Sequence, residues 1–226
     1  MSDVSPSEEP VSLPTNFAAD NPVFGIFPGE EEPLLSIHAS LLNDFLSERR
    51  DPSHILLGIQ PLFERGITGK NVIIAIADSG IDPDHQDLRE QLIPELCRNF
   101  TRGTGGWADL NSHGTHVAAI SFADYNGKGI IGIAPDAKGF ACKVLDDSGS
   151  GASSWIAAGI KHAADSGADI INLSLGGPYP DNGTLNALEY AISKGCWVVC
   201  AAGNDGRPSK SFPGHYPSSL ATVATD

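Results

Sequence analysis

The sequence predicts an α/β domain of three layers, a mainly parallel sheet covered by helices on both faces. Three observations predict it: short, almost continuously apolar runs such as residues 72–77 and 197–202, amphipathic segments between them, and their regular alternation from about Gly66 onward. Strands that are apolar at nearly every position belong in a sheet buried on both faces, and parallel neighbours need helical crossovers. With 226 residues, 41% hydrophobic and 19% charged, the chain has enough apolar side chain for one real core.

Taken in order, residues 1–35 hold Pro6, Pro10, Pro14, Pro22 and Pro28 among many acids, the composition of a mobile acidic tail. Residues 36–52 read as an amphipathic helical extension, because Ile37, Leu41, Leu42, Phe45 and Leu46 recur at helical intervals and Asp51-Pro52 ends the pattern. A packing extension is the expectation there, and a propeptide-like inhibitory segment the alternative. The domain occupies residues 55–226. Its expected elements are a strand over 72–77, a helix over 113–123, a strand over 139–145, and a helix capped by Ser153 or Ser154 that carries Ile156, Ile160 and Ala164. Gly167 is placed for that helix's C-terminal turn. A strand over 170–175 follows, then a helix with Leu185, Leu188 and Ile192 ending near Gly195, a strand over 197–202 and an apolar stretch over 221–225. Ligands of such sheets collect outside the carboxyl ends of the strands, where Asp78, Ser174 and Asn204 fall.

Charge and cysteine usage exclude several classes. The net charge of −14, from 28 acidic and 14 basic side chains, repels nucleic acids and anionic membranes. No apolar window approaches the roughly 18 residues of a membrane span, and the first residues lack the basic start and apolar core of a secretory signal. A cytoplasmic location is therefore expected over a secreted one. The four cysteines are expected as buried, reduced thiols; Cys196 and Cys200, in one strand, would lie roughly 13 Å apart, too far to bridge. No zinc spacing occurs, and no organic cofactor is expected.

Four motifs carry chemistry. Asp78 follows Ile73-Ile74-Ala75-Ile76-Ala77 and so emerges from the sheet interior, where a carboxylate is costly unless hydrogen-bonded. An imidazole N–H would suit it; a capping aspartate in an Asp-Ser-Gly turn is the alternative. His113, in Asn111-Ser112-His113-Gly114-Thr115-His116, stands at the start of an alanine-rich helix beside those strand ends. Asn204, after Ala201-Ala202-Gly203, can donate to an oxygen that gains charge during acyl transfer, or simply form a turn. Ser174-Leu175-Gly176-Gly177 is small enough for a peptide to approach closely. A metal or phosphoryl site at Asp78, Asp82 and Asp84 is a rival reading, which explains neither Asn204 nor the other spacings.

In order and spacing, these motifs resemble the subtilisin-like serine proteases, from about Gly66 to the last residue and including Gly132-Ile133-Ala134-Pro135 and Gly149-Ser150-Gly151. The resemblance implies a serine-type endopeptidase acting on polypeptides, with Asp78 orienting the imidazole, His113 as general base and acid, and Asn204 as oxyanion donor. It implies that Gly149, Ser150 and Gly151 on one side and Ser174, Leu175 and Gly176 on the other flank an extended substrate. Ala201, Ala202 and Gly203 would wall the primary specificity pocket, with Ser211 or a neighbour before Phe212-Pro213-Gly214 as its base, for a medium or large apolar residue before the cut. Asp87 and Asn126, with loop carbonyls over 124–130, are implied as calcium ligands, solvated loop residues being the alternative.

One departure is large. The family's nucleophilic serine lies in a Gly-Thr-Ser triplet, and that triplet does not occur in these residues. An incomplete peptidase domain belonging to a longer active protease is the expectation, since Ala221, Val223 and Trp197-Val198-Val199 show no polar adaptation to an uncovered sheet. A pseudoprotease or peptide-binding chain without the chemistry is the alternative.

Overall fold

The computed structural model describes residues 52–103, 105–204 and 211–223. The expected tail over 1–35, and the helical extension over 36–52 apart from Pro52, lie outside the described residues.

Six strands form one sheet: β1 (Ile73–Asp78), β2 (Arg98–Asn99), β3 (Lys138–Lys143), β4 (Ile170–Leu173), β5 (Trp197–Ala201) and β6 (Leu220–Thr222). Their order is β2-β3-β1-β4-β5-β6, and every neighbouring pair is parallel. Two short helices, α1 (Pro52–Leu56) and α2 (Gln60–Glu64), precede the sheet, and α3 (His113–Phe122), α4 (Ser153–Asp165) and α5 (Asn182–Ser193) cross over between strands. The α/β expectation and its parallel sheet are met. Chain order places β3 on one side of β1 and β4 on the other, so the sheet is built first to one side of β1 and then to the other. A crevice opens at the carboxyl end of a strand where the order reverses in this way, and that end is Asp78.

Strand parity separates the two covering layers. Gly139 and Cys142 of β3 point to opposite faces because side chains alternate along a strand. A β-carbon on Gly139 would strike the Phe122 ring of α3, whereas Gly159 of α4 lies against the Cys142 β-carbon. Helix α3 therefore covers one face and α4 the other. Phe122, Phe140, Ile160, Ile171 and Leu188 are fully buried between the layers, each large apolar side chain contributing about 1.5–3 kcal/mol. The same parity carries to the active edge: Asp78 of β1 is in register with Lys143, on the side of Gly139 and hence of α3.

The helix ends show what sequence patterning captures and what it misses. Gly167 and Gly195, at φ 80° and 95°, close α4 and α5 as expected. Asp181 caps α5, its carboxylate accepting the Thr184 N–H at 2.7 Å and the Thr184 hydroxyl at 2.8 Å. Neither Ser153 nor Ser154 caps α4: the N-cap is Ala152, and Ser153 is already helical. The Ala152 carbonyl takes the first helical bonds, from the Trp155 and Ile156 N–H groups at 2.9 and 3.1 Å, and Gly151 just before it has no room for a β-carbon against Leu145 and the Val144 carbonyl. Strands β4 and β5 end at Leu173 and Ala201, short of the expected 175 and 202. After β4 the chain leaves the sheet to pair Gly177 with Phe212 through reciprocal N–H···O bonds of 2.9 and 2.8 Å. All four cysteines are buried and free, as expected, and no helix among the described residues is long and apolar enough to cross a membrane.

Candidate active site

Strand β1 delivers Asp78 into the interior, 0% exposed. Its Oδ1 accepts the Ser79 N–H at 2.7 Å and lies 2.8 Å from Nδ1 of His113. Oδ2 is buried and has no hydrogen-bond partner among the described residues. Burying a carboxylate is costly unless donors replace the lost water, and the Ser79 N–H and the imidazole are the two donors here. The pairing fixes the ring. With Nδ1–H turned to Asp78, Nε2 is left as the basic nitrogen, and the His113 side chain is 49% exposed at the mouth of a cleft.

Local sequence makes this meeting possible. Helix α3 begins at His113, and its second residue, Gly114, donates its N–H to the Ser79 hydroxyl at 3.0 Å. The residue before the helix, Ser112, takes φ 81°, a backbone conformation that a side chain adopts only where its surroundings hold it.

The cleft encloses about 590 Å³ and brings His113 together with Gly149, Ser150 and Gly151 and with Ser174, Leu175 and Gly176. Ser150 spends its N–H on the Asp146 carboxylate and its carbonyl on the Asp146 N–H, which stiffens one rim. By contrast, the peptide N–H and C=O of Gly151, Leu175 and Gly176 have no hydrogen-bond partner among the described residues. Open backbone facing a groove is the requirement for adding an extended peptide as a strand.

Asn204 lies three positions beyond the last residue of β5, exposed, at the same carboxyl edge of the sheet as Asp78 and Ser174. It does not line the cleft itself, nor do Ala202 and Gly203. Those two meet a neighbouring group instead. A β-carbon on Gly203 would stand 3.0 Å from that of Ser211, and one on Gly176 would strike the Ser211 hydroxyl. Ser211 thus sits between the segment after β4 and the segment after β5.

Residues 69–226 match the sequence profile of the Subtilase family, Peptidase_S8. The chain belongs to this family. Subtilisin E of Bacillus subtilis (strain 168) is 40% identical over 169 residues, covering 73% of this chain and 44% of that protein. Thermitase of Thermoactinomyces vulgaris is 41% identical over 161 residues, 70% of this chain and 56% of its own. The Major intracellular serine protease of Bacillus subtilis (strain 168) is 39% identical over 170 residues, 71% and 53% respectively. The chain spans about half the length of these curated relatives.

Two further groups of this subtilase chain bear on its site. Asp87 is 2% exposed; its carboxylate accepts the Ile130 N–H at 3.2 Å and the Asn126 amide at 3.3 Å, and no cationic side chain among the described residues pairs with it. A buried carboxylate met only by neutral donors is one oxygen ligand that would suit a divalent cation, but Asn126 would have to give up the Lys128 N–H on its oxygen and the Gln86 carbonyl on its amide to add a second. The rival site at Asp82 and Asp84 does not form: Asp82 turns its carboxylate to the Asp84 N–H at 3.0 Å. No group of three His, Cys, Asp or Glu that could hold a metal occurs among the described residues.

Sequence reading missed Lys143. It is 3% exposed, donates its ammonium to the Ser79 carbonyl and pairs with Asp147 at 2.9 Å. It thereby ties the turn after Asp78 to the loop that forms one rim of the cleft. The available signal was a lysine closing an apolar strand, a position where a buried cation needs partners.

Proposed function

We propose that this chain supplies the acid–base half of a serine-type endopeptidase, with Asp78 and His113 serving a serine hydroxyl from outside these 226 residues. The observation that carries the reading is the 2.8 Å contact between the Asp78 carboxylate and Nδ1 of an imidazole whose other nitrogen is free for a cleft. In the proposed reaction His113 Nε2 takes the proton of the hydroxyl as its oxygen attacks the peptide carbonyl carbon. Buried Asp78 stabilises the imidazolium that forms and keeps the ring in register. The tetrahedral oxyanion would accept a hydrogen bond from the Asn204 side-chain amide, which stands at the same carboxyl edge but outside the cleft and would have to turn toward it in the completed site, and the imidazolium then gives its proton to the leaving amine. Water attacks the resulting ester by the same route in reverse.

The substrate is a polypeptide bound extended between Gly149-Ser150-Gly151 and Ser174-Leu175-Gly176, held by main-chain bonds that accept many sequences. Ser211, with Ala202 and Gly203, would set the primary pocket for a medium or large apolar residue. Calcium would be held by Asp87 and Asn126 and would tie the loop over 124–130 to the body of the domain. Four buried free thiols and the absence of any cysteine pairing among the described residues support a reducing, cytoplasmic location.

A second reading draws on the open backbone at Gly151, Leu175 and Gly176, which would bind a peptide without any chemistry. One experiment separates the two. Joining these residues to the segment of a relative that carries its Gly-Thr-Ser serine should yield peptide hydrolysis blocked by a fluorophosphonate and abolished by His113→Ala. Peptide binding with no hydrolysis, unaffected by His113→Ala, would favour the binding module.

A further inference from the structure

We propose that Asp109 is the positioning residue of the acid–base pair: one carboxylate holds both the turn after Asp78 and the first turn of α3, and so sets how His113 meets Asp78. The inference rests on the reading of Asp78 and His113 as that pair and extends it to a side chain touching neither.

The contacts divide by oxygen. Oδ1 of Asp109 accepts the Ser79 hydroxyl at 2.9 Å, the Asn111 N–H at 2.9 Å and the Ser112 N–H at 3.0 Å. Oδ2 accepts the Thr115 N–H at 2.9 Å and the Thr115 hydroxyl at 2.6 Å. His113 is therefore bracketed, its neighbour Ser112 held on one side and Thr115 on the other. Ser79 completes the frame: its N–H donates to Asp78 Oδ1 at 2.7 Å, and its hydroxyl accepts the Gly114 N–H at 3.0 Å while donating to Asp109. Thr115 returns the connection to the first strand's turn, its hydroxyl oxygen accepting the Asp82 N–H at 3.0 Å.

This arrangement explains two features that are otherwise costly. Helix α3 has no side-chain cap from its own N-cap, Ser112. Asp109 satisfies the Thr115 amide from outside, placing negative charge where the helix dipole favours it. Ser112 is also held in the left-handed region, restrained by the bond from its N–H to Asp109 and by the His116 N–H on its carbonyl at 3.1 Å. The charged form of the carboxylate is what these donors need. Partial burial pushes the Asp109 carboxyl up, but the Thr115 hydroxyl and N–H, the Asn111 N–H and the Ser79 hydroxyl outweigh it and hold the group below the usual carboxylate range. Replacing one oxygen by an amide nitrogen would turn a donor toward donors on one of the two sides, whichever way the amide lies.

The test reads the ring itself. Imidazole nitrogen NMR on residues 1–226 gives the ratio of the Nδ1–H to the Nε2–H tautomer of His113, which a merely structural cap would not set. In the unsubstituted chain Nδ1–H should dominate. Asp109→Asn should lower the ratio about tenfold, the consequence of losing one charge-assisted hydrogen bond from the frame, and speed amide exchange at Thr115. Faster exchange at Thr115 with an unchanged ratio would overturn the proposal, leaving Asp109 as a helix cap only. Should Asp109→Asn fail to fold, Ser79→Ala carries the test, because it cuts the bridge to Asp78 and leaves the Thr115 cap in place; it should lower the same ratio, and an unchanged ratio there would overturn the proposal equally. Absence of the Nδ1–H tautomer from the unsubstituted chain would instead remove the acid–base pair itself, and the role of Asp109 with it.

Discussion

Gly114 of α3 packs against the carbonyl of Gly80 so closely that a β-carbon would overlap that oxygen and stand 3.1 Å from the β-carbon of Asp78. The helix carrying His113 can reach the turn after β1 only because no side chain intervenes. Gly114→Ala must therefore push α3 outward. Overpacking of this kind costs about 1–3 kcal/mol, so the urea midpoint should fall by that equivalent, with faster exchange of the Gly80 and His113 amides. An unchanged midpoint would show that the backbone at Gly80 yields freely.

Asp181 should be separable from the site although it lines the cleft. Its carboxylate caps α5 through the Thr184 N–H and hydroxyl, and Asp181→Ala should cost about 1 kcal/mol in a denaturation experiment, the usual loss for an N-cap. The Thr184 N–H bond, then the hydroxyl bond, hold the Asp181 carboxyl below its usual range, and Asp109 is held low as well. Groups whose folded-state affinity for protons is depressed stabilise the fold fully above their unfolded value, near pH 4 for aspartate. Below that value the unfolded chain binds more protons, so the contribution fades as pH falls through the folded values. The urea midpoint should thus decline from pH 5 to pH 3, less steeply in Asp181→Asn; identical slopes would contradict the assignment.

The core was legible in residues whose burial is dictated by pattern. Asp78 stood out because an unbroken apolar run ends in an acid, a combination the interior tolerates only with a partner, and His113 because a helix start was visible beside it. The two cleft rims were named from the resemblance of their motifs to the family, small residues alone being a weak signal. What escaped depends on contacts between loops: Asp109, Lys143 and Ser79 meet across turns whose geometry no periodicity encodes. The cap expected at Ser153 or Ser154 falls instead on Ala152, next to a Gly151 that lies too close to Leu145 and Val144 for a β-carbon, and no pattern along the chain shows such a tertiary contact.

The thiols give a test of the packing. Burial pushes Cys97 up to about 11 and Cys200 up to about 12, and raises Cys142 and Cys196 as well. At pH 8 the thiolate of a group near 11 is about one part in a thousand. An aromatic disulfide reagent should therefore label all four only as fast as the chain unfolds. A rapid phase of even one equivalent in native buffer would contradict the described burial.

Calcium binding predicts a shift that needs no activity. Millimolar calcium should raise Tm and chelation should lower it, and Asp87→Asn should remove most of the response by neutralising the buried carboxylate. Equal Tm values with calcium and with chelator would leave Asp87 and Asn126 as loop residues alone.

The measurement that bears most directly on the proposed chemistry is the steady-state rate of the chain completed with a Gly-Thr-Ser segment, compared between Asp78 and Asp78→Asn at neutral pH. The account predicts a loss in kcat of about 10⁴-fold with little change in KM, because a neutral amide, even with its oxygen kept on the Ser79 N–H and His113 Nδ1, no longer stabilises the imidazolium that forms as the serine proton is taken. A variant retaining kcat within about tenfold of the parent would contradict it, since the buried carboxylate would then contribute less than one ordinary hydrogen bond to the reaction.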